Sequence, residues 1–434
     1  MADQEAVGAH VIADDAEALA VAAGLAVAFR AGAAARDAER ALPRAEVDRL
    51  SASGLLAVSV PRAYGGAEVS ARTLAEIFRL LAAADPSLAQ IPQSHFVYVN
   101  VLLRQGTEEQ RKFFLGEVLA GRRFGNAQSE KGTRHVQDIR TRLTPGPAGS
   151  YVLTGEKHYA TGALFADWIP VLARVGTGEG PAVGPASDST PGSTPGSASG
   201  SVESAGVDGP LHVAYVRRDA PGVTVVDDWD GMGQRTTASG TVRLAEVAVA
   251  ADRVVPHHLT FEGPQLHGAV AQLLHAAIDV GIASGALEEA AAFVRTSSRP
   301  WFEAVGEGYG TAAEDPLLVQ RFGELAVQVR ASAALLAAAA DAVDAARADL
   351  TDATAAEASI AVAAAKVHAA GTAVETGSAL FEVAGTRAAQ DGLNLHRYWR
   401  DARTHTLHDP VRWKAWHIGR YALTGTRPPR HGLL

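Results

Sequence analysis

The chain has 434 residues, with 39 Lys and Arg against 48 Asp and Glu, giving a formal net charge of −9 at pH 7. This balance excludes a protein that holds nucleic acid through general attraction to its phosphates. Cysteine is absent, which removes disulfides, thiolate catalysis and cysteine-ligated metal or iron–sulfur centres. The apolar 47% of the chain falls in short amphipathic stretches, without the roughly 20 unbroken apolar residues that span a bilayer. Met1–Glu5 is polar and acidic, unlike a secretory leader. A cytoplasmic protein with no membrane partner is expected.

In chain order, residues 11–121 read as helical, within an N-terminal helical domain of residues 1–121. Leu74, Ile77, Phe78 and Leu81 recur at helical spacing, and Asp85-Pro86 supplies a stop. Thr107 and Gln110 have the spacing of a capping box ahead of Phe113, Phe114 and Leu115. Residues 122–255 form a middle β domain, with strands predicted over 151–159, 211–216, 223–226 and 241–249. Within it, residues 176–209 are mostly Gly, Pro, Ser, Thr, Ala and Val, and this tract is expected to be a flexible insertion in a hairpin. Residues 256–434 form a C-terminal helical bundle with long Ala-rich helices at 266–296, 316–349 and 354–384. No repeat of solenoid length is present.

Common cofactor fingerprints are missing. There is no Gly-Lys dipeptide for a phosphate loop, no G-x-G-x-x-G after a strand and no G-x-S-x-G elbow. His405, His408 and Asp409 have a spacing that suits metal ligation, as does the pair His257-His258. Arg400, Arg403 and Arg412 surround the first group with positive charge, so no metal is assigned.

Five segments in order resemble the acyl-CoA dehydrogenase superfamily of flavoproteins: Gly106-Thr-Glu-Glu-Gln110 with Ala120-Gly121, Phe124-Gly-Asn-Ala-Gln-Ser-Glu130, Gly155-Glu-Lys-His-Tyr-Ala-Thr-Gly-Ala163, Gly233-Gln-Arg-Thr-Thr-Ala-Ser239 and Arg397-Tyr-Trp-Arg-Asp-Ala-Arg403. The resemblance covers about residues 45–420 outside the insertion. It implies an α+β fold: an N-terminal helical domain, a central β-barrel or sandwich and a C-terminal four-helix bundle. The common dehydrogenase branch places a Glu base in "Y-E-G-T" after "R-D-A", whereas this chain has Leu407-His408-Asp409-Pro410. The tail Arg400–Pro410 is similar instead to the reduced-flavin monooxygenases of this fold, a group including the dibenzothiophene monooxygenases and sulfur-acquisition oxidoreductases.

That resemblance implies FMN, supplied as FMNH2 by a separate NAD(P)H-dependent flavin reductase. The reduced flavin reacts with O2 to a C4a-hydroperoxyflavin that oxygenates a small, organosulfur substrate. His408 is the expected proton donor, since histidine is the side chain suited to proton exchange at neutral pH, although a histidine bonded to backbone at a helix end fits the same position. His95 is either a pocket residue or a satisfied core histidine, and Tyr98 is a pocket candidate beside it. Ser239 and Asn126 are expected to face the flavin, with Ser129, Ala160, Thr161 and Trp229 around them. Arg299, Glu382, Gly385 and Arg387 match segments that reach the cofactor of a neighbouring subunit, which implies a homotetramer. The competing readings are an FAD-dependent acyl-CoA dehydrogenase with Asp409 as base, an amine or aromatic hydroxylase of the same fold, and a non-catalytic scaffold.

Overall fold

The structure is a computed structural model that describes residues 8–176 and 209–434. Its N-terminal part is built from α1 (Asp15–Arg30), α2 (Ala33–Glu39), α3 (Arg44–Ala52), α4 (Ala71–Ala84), α5 (Pro86–Gln90), α6 (Gln93–Gln105) and α7 (Glu108–Leu119). Local chemistry sets these boundaries. Ser70 caps α4 by accepting the Thr73 amide at 3.1 Å, the stripe of Leu74, Ile77, Phe78 and Leu81 is buried, and the Asp85 carboxylate accepts the Ser87 and Leu88 amides to start α5. Thr107 and Gln110 close a reciprocal capping box on α7. The same Gln110 amide donates to the carbonyls of Asp252 and Val254 at 3.0 Å each, tying the helical part to the sheet.

The sheet contains β1 (Arg142–Pro145), β2 (Tyr151–Lys157), β3 (Trp168–Val175), β4 (Leu211–Arg217), β5 (Val223–Val226), β6 (Thr241–Val249) and β7 (Val254–Val255). Its order is β5-β6-β2-β1-β3-β4-β7, antiparallel except for the β1–β3 pair. The expected barrel or sandwich is thus one continuous seven-stranded sheet. It curls until β4 and β6 touch, so that Ala214, Val216, Val242 and Leu244 share one apolar cluster with Leu143, Leu153 and Ile169. The other face, Trp168, Leu172, Val213 and Tyr215, packs on Tyr98, Leu102, Phe114 and Val118 of α6 and α7. β1 and β3 had no sequence signal: β1 is short, and β3 is buried on both faces with Pro170 inside it, so the period of two is lost. β3 and β4 pair from Trp168↔Arg217 to Arg174↔Leu211. The insertion expected between them lies almost entirely outside the described residues.

The C-terminal part comprises α8 (His267–Ser297), α9 (Phe302–Gly306), α10 (Pro316–Ala348), α11 (Asp352–Ala384), α12 (Arg397–His405) and α13 (Val411–Thr424). Helices α8, α10, α11 and α13 pack as the four-helix bundle, and α4 joins them on α8. The approach is close because a Cβ on Gly281 of α8 would sit 2.5 Å from the Ala82 methyl of α4. One apolar cluster therefore runs through α1, α4, α8, α10 and α11. Both α8 and α10 are long and apolar enough by composition to cross a bilayer. The apolar window of α8 is 89% buried within the fold, so core packing accounts for its composition.

Candidate active site

α12 joins two groups of polar residues. Tyr398, Asp401, Ala402 and His405 form its buried stripe, at helical spacing. Asp401 faces the loop before β6, accepting the Gln234 amide at 2.6 Å. His405, one turn later, faces α8.

On the sheet side, the loop 229–240 lies against the segment 159–163. The Thr237 hydroxyl donates to the Gln234 carbonyl at 3.0 Å, which leaves its oxygen to accept from Ser239 at 2.8 Å and orders Thr161 to donate to Ser239 at 2.7 Å. Ala160 N–H donates to the Gly240 carbonyl, and Trp229 Nε1 donates to the Gln234 carbonyl at 2.9 Å. The Trp229 and Tyr159 rings meet edge to face at 6.4 Å. Asn126 links this wall to α6: its amide donates to the Tyr159 carbonyl and its Oδ1 accepts from the Tyr98 hydroxyl, both at 3.4 Å. Burial holds the Tyr98 phenol protonated, well above the ordinary range.

Three non-glycine residues of these loops, Tyr159, Gln234 and Ala238, have left-handed backbone at φ 54°, 46° and 47°. Such strain persists only where surrounding contacts enforce it, and it clusters at working sites. One enforcing contact is Gly233, where a Cβ would stand 2.1 Å from the Arg400 carbonyl oxygen of α12. Ser129 contributes its carbonyl to the His158 amide at 2.8 Å. The adjoining Glu130 is paired with the fully buried Lys157 at 2.7 Å, and its charge keeps Glu130 ionised below the usual carboxylate range despite burial.

On the helix side, His408 follows α12 with its Nδ1 3.2 Å from Asp409 Oδ1 and its side chain 41% exposed. Asp409 is 4% exposed and its other oxygen accepts from Lys414, whose ammonium also reaches the Leu433 carbonyl at 2.7 Å. His408 and the Lys366 and Lys414 ammonium groups outweigh burial and hold this carboxylate far below the ordinary range. Asp409 is therefore a locked anion with both oxygens engaged, which corrects the expectation that it could act as a catalytic base. A base must take up a proton near neutrality, and this one cannot; its work is to orient His408. Four further residues complete the group: His275 and Asp279 on α8, Lys366 on α11 and Lys414 on α13. The sequence reading missed all four, although His275, Asp279 and Lys366 are polar residues inside apolar helices, a signal that such residues have partners.

His95 is also corrected. Its Nε2 donates to the Leu56 carbonyl at 3.0 Å and its Nδ1 accepts the Phe124 amide at 3.1 Å. Burial lowers its pKa to about 4. With neither nitrogen free, it splints α6 to the entry of the sheet, and the core-histidine alternative describes it.

Arg299, Glu382, Gly385 and Arg387 lie apart from both groups, where α8 and α11 end. Arg387 donates to the Ser297 carbonyl at 2.6 Å, and the Ser298 hydroxyl donates to the Ala384 carbonyl at 3.0 Å. Gly385 ends α11 at φ 77°. Glu382 is paired with Arg321 at 3.2 Å, and Arg299 is exposed. No contact among the described residues joins these four to Ser239 or His408.

Comparison with known proteins agrees with this geometry. The N-terminal-domain model of acyl-CoA dehydrogenases matches residues 19–122, and the C-terminal-domain model matches residues 273–413. A dibenzothiophene monooxygenase of Rhodococcus erythropolis is 34% identical over 427 residues, covering 96% of this chain and 95% of the relative. A probable FMNH2-dependent monooxygenase of Pseudomonas putida is 31% identical over 417 residues, covering 95% and 96%. Among solved structures, FMN-bound TdsC from Paenibacillus sp. A11-2 has a TM-score of 0.84 at 34% identity, covering 96% of this chain and 100% of that one. The chain belongs to the acyl-CoA dehydrogenase family, on the branch of its flavin-dependent monooxygenases.

Proposed function

We propose that the chain is an FMNH2-dependent monooxygenase of a small organosulfur compound, receiving reduced flavin from a separate NAD(P)H-dependent reductase in the cytoplasm. The observation that carries this reading is the pair His408–Asp409. Where the family's dehydrogenases need a carboxylate base, this chain has an imidazole whose Nε2 has no hydrogen bond among the described residues and a carboxylate locked beneath it. That arrangement puts an imidazole where a proton can be exchanged and lacks the base for α-proton abstraction from an acyl thioester.

The residues present suit FMN. A planar heteroaromatic ring with N–H and carbonyl groups at its edge needs a flat wall and matching polar atoms. Trp229 and Tyr159 provide aromatic surface, the ordered Thr161–Ser239–Thr237 hydroxyls provide acceptors, and the Asn126 amide has one N–H left over. Bound reduced FMN supplies the two electrons that activate O2. Ser239, Thr161 and Asn126 would hold the edge of the ring and Trp229 would supply aromatic surface, while His408, oriented through Nδ1–H by Asp409, would take up a proton at Nε2 and give it back. FMN is preferred over FAD because the FMN-bound relative aligns along the whole chain. Organosulfur chemistry is supported by the dibenzothiophene monooxygenase relatives.

Arg299 and Arg387 fit the flavin phosphate of a second copy, in a homotetramer. Trp413 and Trp416 on α13 are 55% and 46% exposed, a surface that association would cover. The test supplies the purified chain with a flavin reductase, NADH, FMN, 18O2 and dibenzothiophene. The expected product is a sulfoxide or sulfone carrying labelled oxygen, with no bleaching of bound FMN by butyryl-CoA. Bleaching without oxygenation overturns the reading.

A further inference from the structure

Behind His408 runs a buried series of ionisable groups to which the proposed function gives no task. Lys366 and Asp279, each 0% exposed at the side chain, meet at 2.7 Å. The second oxygen of Asp279 accepts His405 Nδ1–H at 2.6 Å, His405 Nε2 lies 3.0 Å from His275 Nδ1, and the His275 ring stacks on His408 with 4.0 Å between centroids. The series crosses α11, α8, α12 and returns to α8.

A structural ion pair accounts for Lys366 and Asp279, since a buried charge needs its partner. It does not account for two imidazoles in series. Asp279 is anionic, held so by Lys366 and His405 against its burial, so His405 must place its proton on Nδ1. While His405 is neutral its Nε2 is an acceptor and His275 must donate from Nδ1. His275 Nε2 then carries a bare lone pair, with no hydrogen-bond partner among the described residues. This is the end of the series, on the ring that lies against His408.

We propose that His275 is a proton-accepting residue of the site, and that His405, Asp279 and Lys366 are positioning residues that carry its charge away from His408. A proton taken up from water at His275 Nε2 is matched by transfer of the Nδ1 proton to His405 Nε2. His275 ends neutral as the other tautomer, and His405 becomes an imidazolium beside the Asp279 carboxylate. One proton enters, one positive charge moves inward, and the reverse sequence returns it. Direct charging of His275 is opposed by the groups around it: His408, His405, Lys366 and Lys414 all disfavour its cation, as does its burial. Burial disfavours the His405 cation as well, and Lys366 adds to this, but the Asp279 carboxylate at its Nδ1 works the other way, whereas no carboxylate bonds to His275 among the described residues.

Use of this relay in turnover rests on the monooxygenase reading, but the relay itself is read without flavin. The test is 15N NMR of histidine-labelled protein through a pH titration. At neutral pH, His275 and His405 are both expected as Nδ1–H tautomers. On acidification, His275 should switch to the Nε2–H tautomer in the same step in which His405 becomes cationic. Asp279→Asn with Lys366→Met keeps an acceptor for His405, removes both buried charges together, and should move that step down by at least about one pH unit. In the flavin-loaded enzyme the acid limb of oxygenation should move, with FMN affinity unchanged. An Nε2–H tautomer of His275 at neutral pH, or a step unmoved in the double variant, overturns the relay. Failure to oxygenate any sulfide with the tautomer switch intact overturns the proposed function alone.

Discussion

Asp401 accepts the Gln234 backbone amide at 2.6 Å, so a carboxylate on α12 holds the strained loop that presents Ser239. Burial and the nearby Asp37 raise its pKa to about 7. A carboxyl whose folded value lies above its unfolded one favours folding fully below pH 3.8, and this contribution is lost as pH rises to about 7. Asp401→Asn removes that loss while keeping an acceptor. Its melting temperature relative to wild type should rise between pH 4 and 7 and stay level above. Asp401→Ala should melt lower at every pH and bind FMN more weakly. Equal pH dependence in Asp401→Asn and wild type would show that Asp401 is not held protonated.

Ser239→Ala breaks the hydroxyl series at its centre and leaves Thr161 without its acceptor. The loss of about 1 kcal/mol expected for such a bond corresponds to FMN binding about fivefold weaker. Fluorescence titration of FMN measures it. Unchanged affinity would place the flavin ring away from these hydroxyls.

His408→Ala should retain FMN, because His408 is half exposed and bonded only to Asp409. Oxygenated product should fall by about 10²-fold or more, the usual weight of a positioned proton donor. Hydrogen peroxide should rise as O2 reduction uncouples from transfer. Product yield equal to wild type would remove His408 from the chemistry.

Acid should unfold the chain through its buried neutral histidines. Burial lowers His95 and His257 to about 4 and His267 to about 3. The unfolded chain takes these protons through pH 6.5 and the folded chain resists them, so stability is full above 6.5 and falls as pH drops toward 4. The slope is about 1.4 kcal/mol per pH unit for each histidine. His267 Nδ1 is buried without a hydrogen bond among the described residues, so His267→Phe should flatten the slope by one such increment in urea titrations run from pH 7 to 4.5. An unchanged slope would mean that His267 is solvated.

Mixed oligomers test whether Arg299 serves a second copy. His408→Ala and Arg299→Ala should each be inactive alone. Refolded together in equal amounts, half of the pairs are mixed and each of these has one of its two sites with both residues intact, so about a quarter of wild-type activity should return. No recovery would place both residues in one chain's site.

The helices were legible in the chain because their signals are local. The stripe ending at Leu81, the Thr107–Gln110 box and the Ala-rich runs of α8, α10 and α11 each lie within a few turns. The strand β3 was not, since burial of both faces and Pro170 erase alternation. The resemblance could point to Asn126, Ser239 and His408 because the segments that carry it are contiguous. It left His95 between two roles, because its neighbours in sequence are the same whether it lines a pocket or splints two elements. Only Leu56 and Phe124, brought from elsewhere, decide between those roles.

By itself the sequence determined the absence of thiol chemistry, the helix–sheet–helix plan and the exchange of a Glu base for His408-Asp409. Tertiary structure alone decided that Asp409 is locked by Lys414 and that His275, Asp279, Lys366 and His405 form one series. The reason is physical. A hydrogen bond or a charge pair acts over about 3 Å, and the folding of α8, α11 and α12 against one another brings these distant positions within that range.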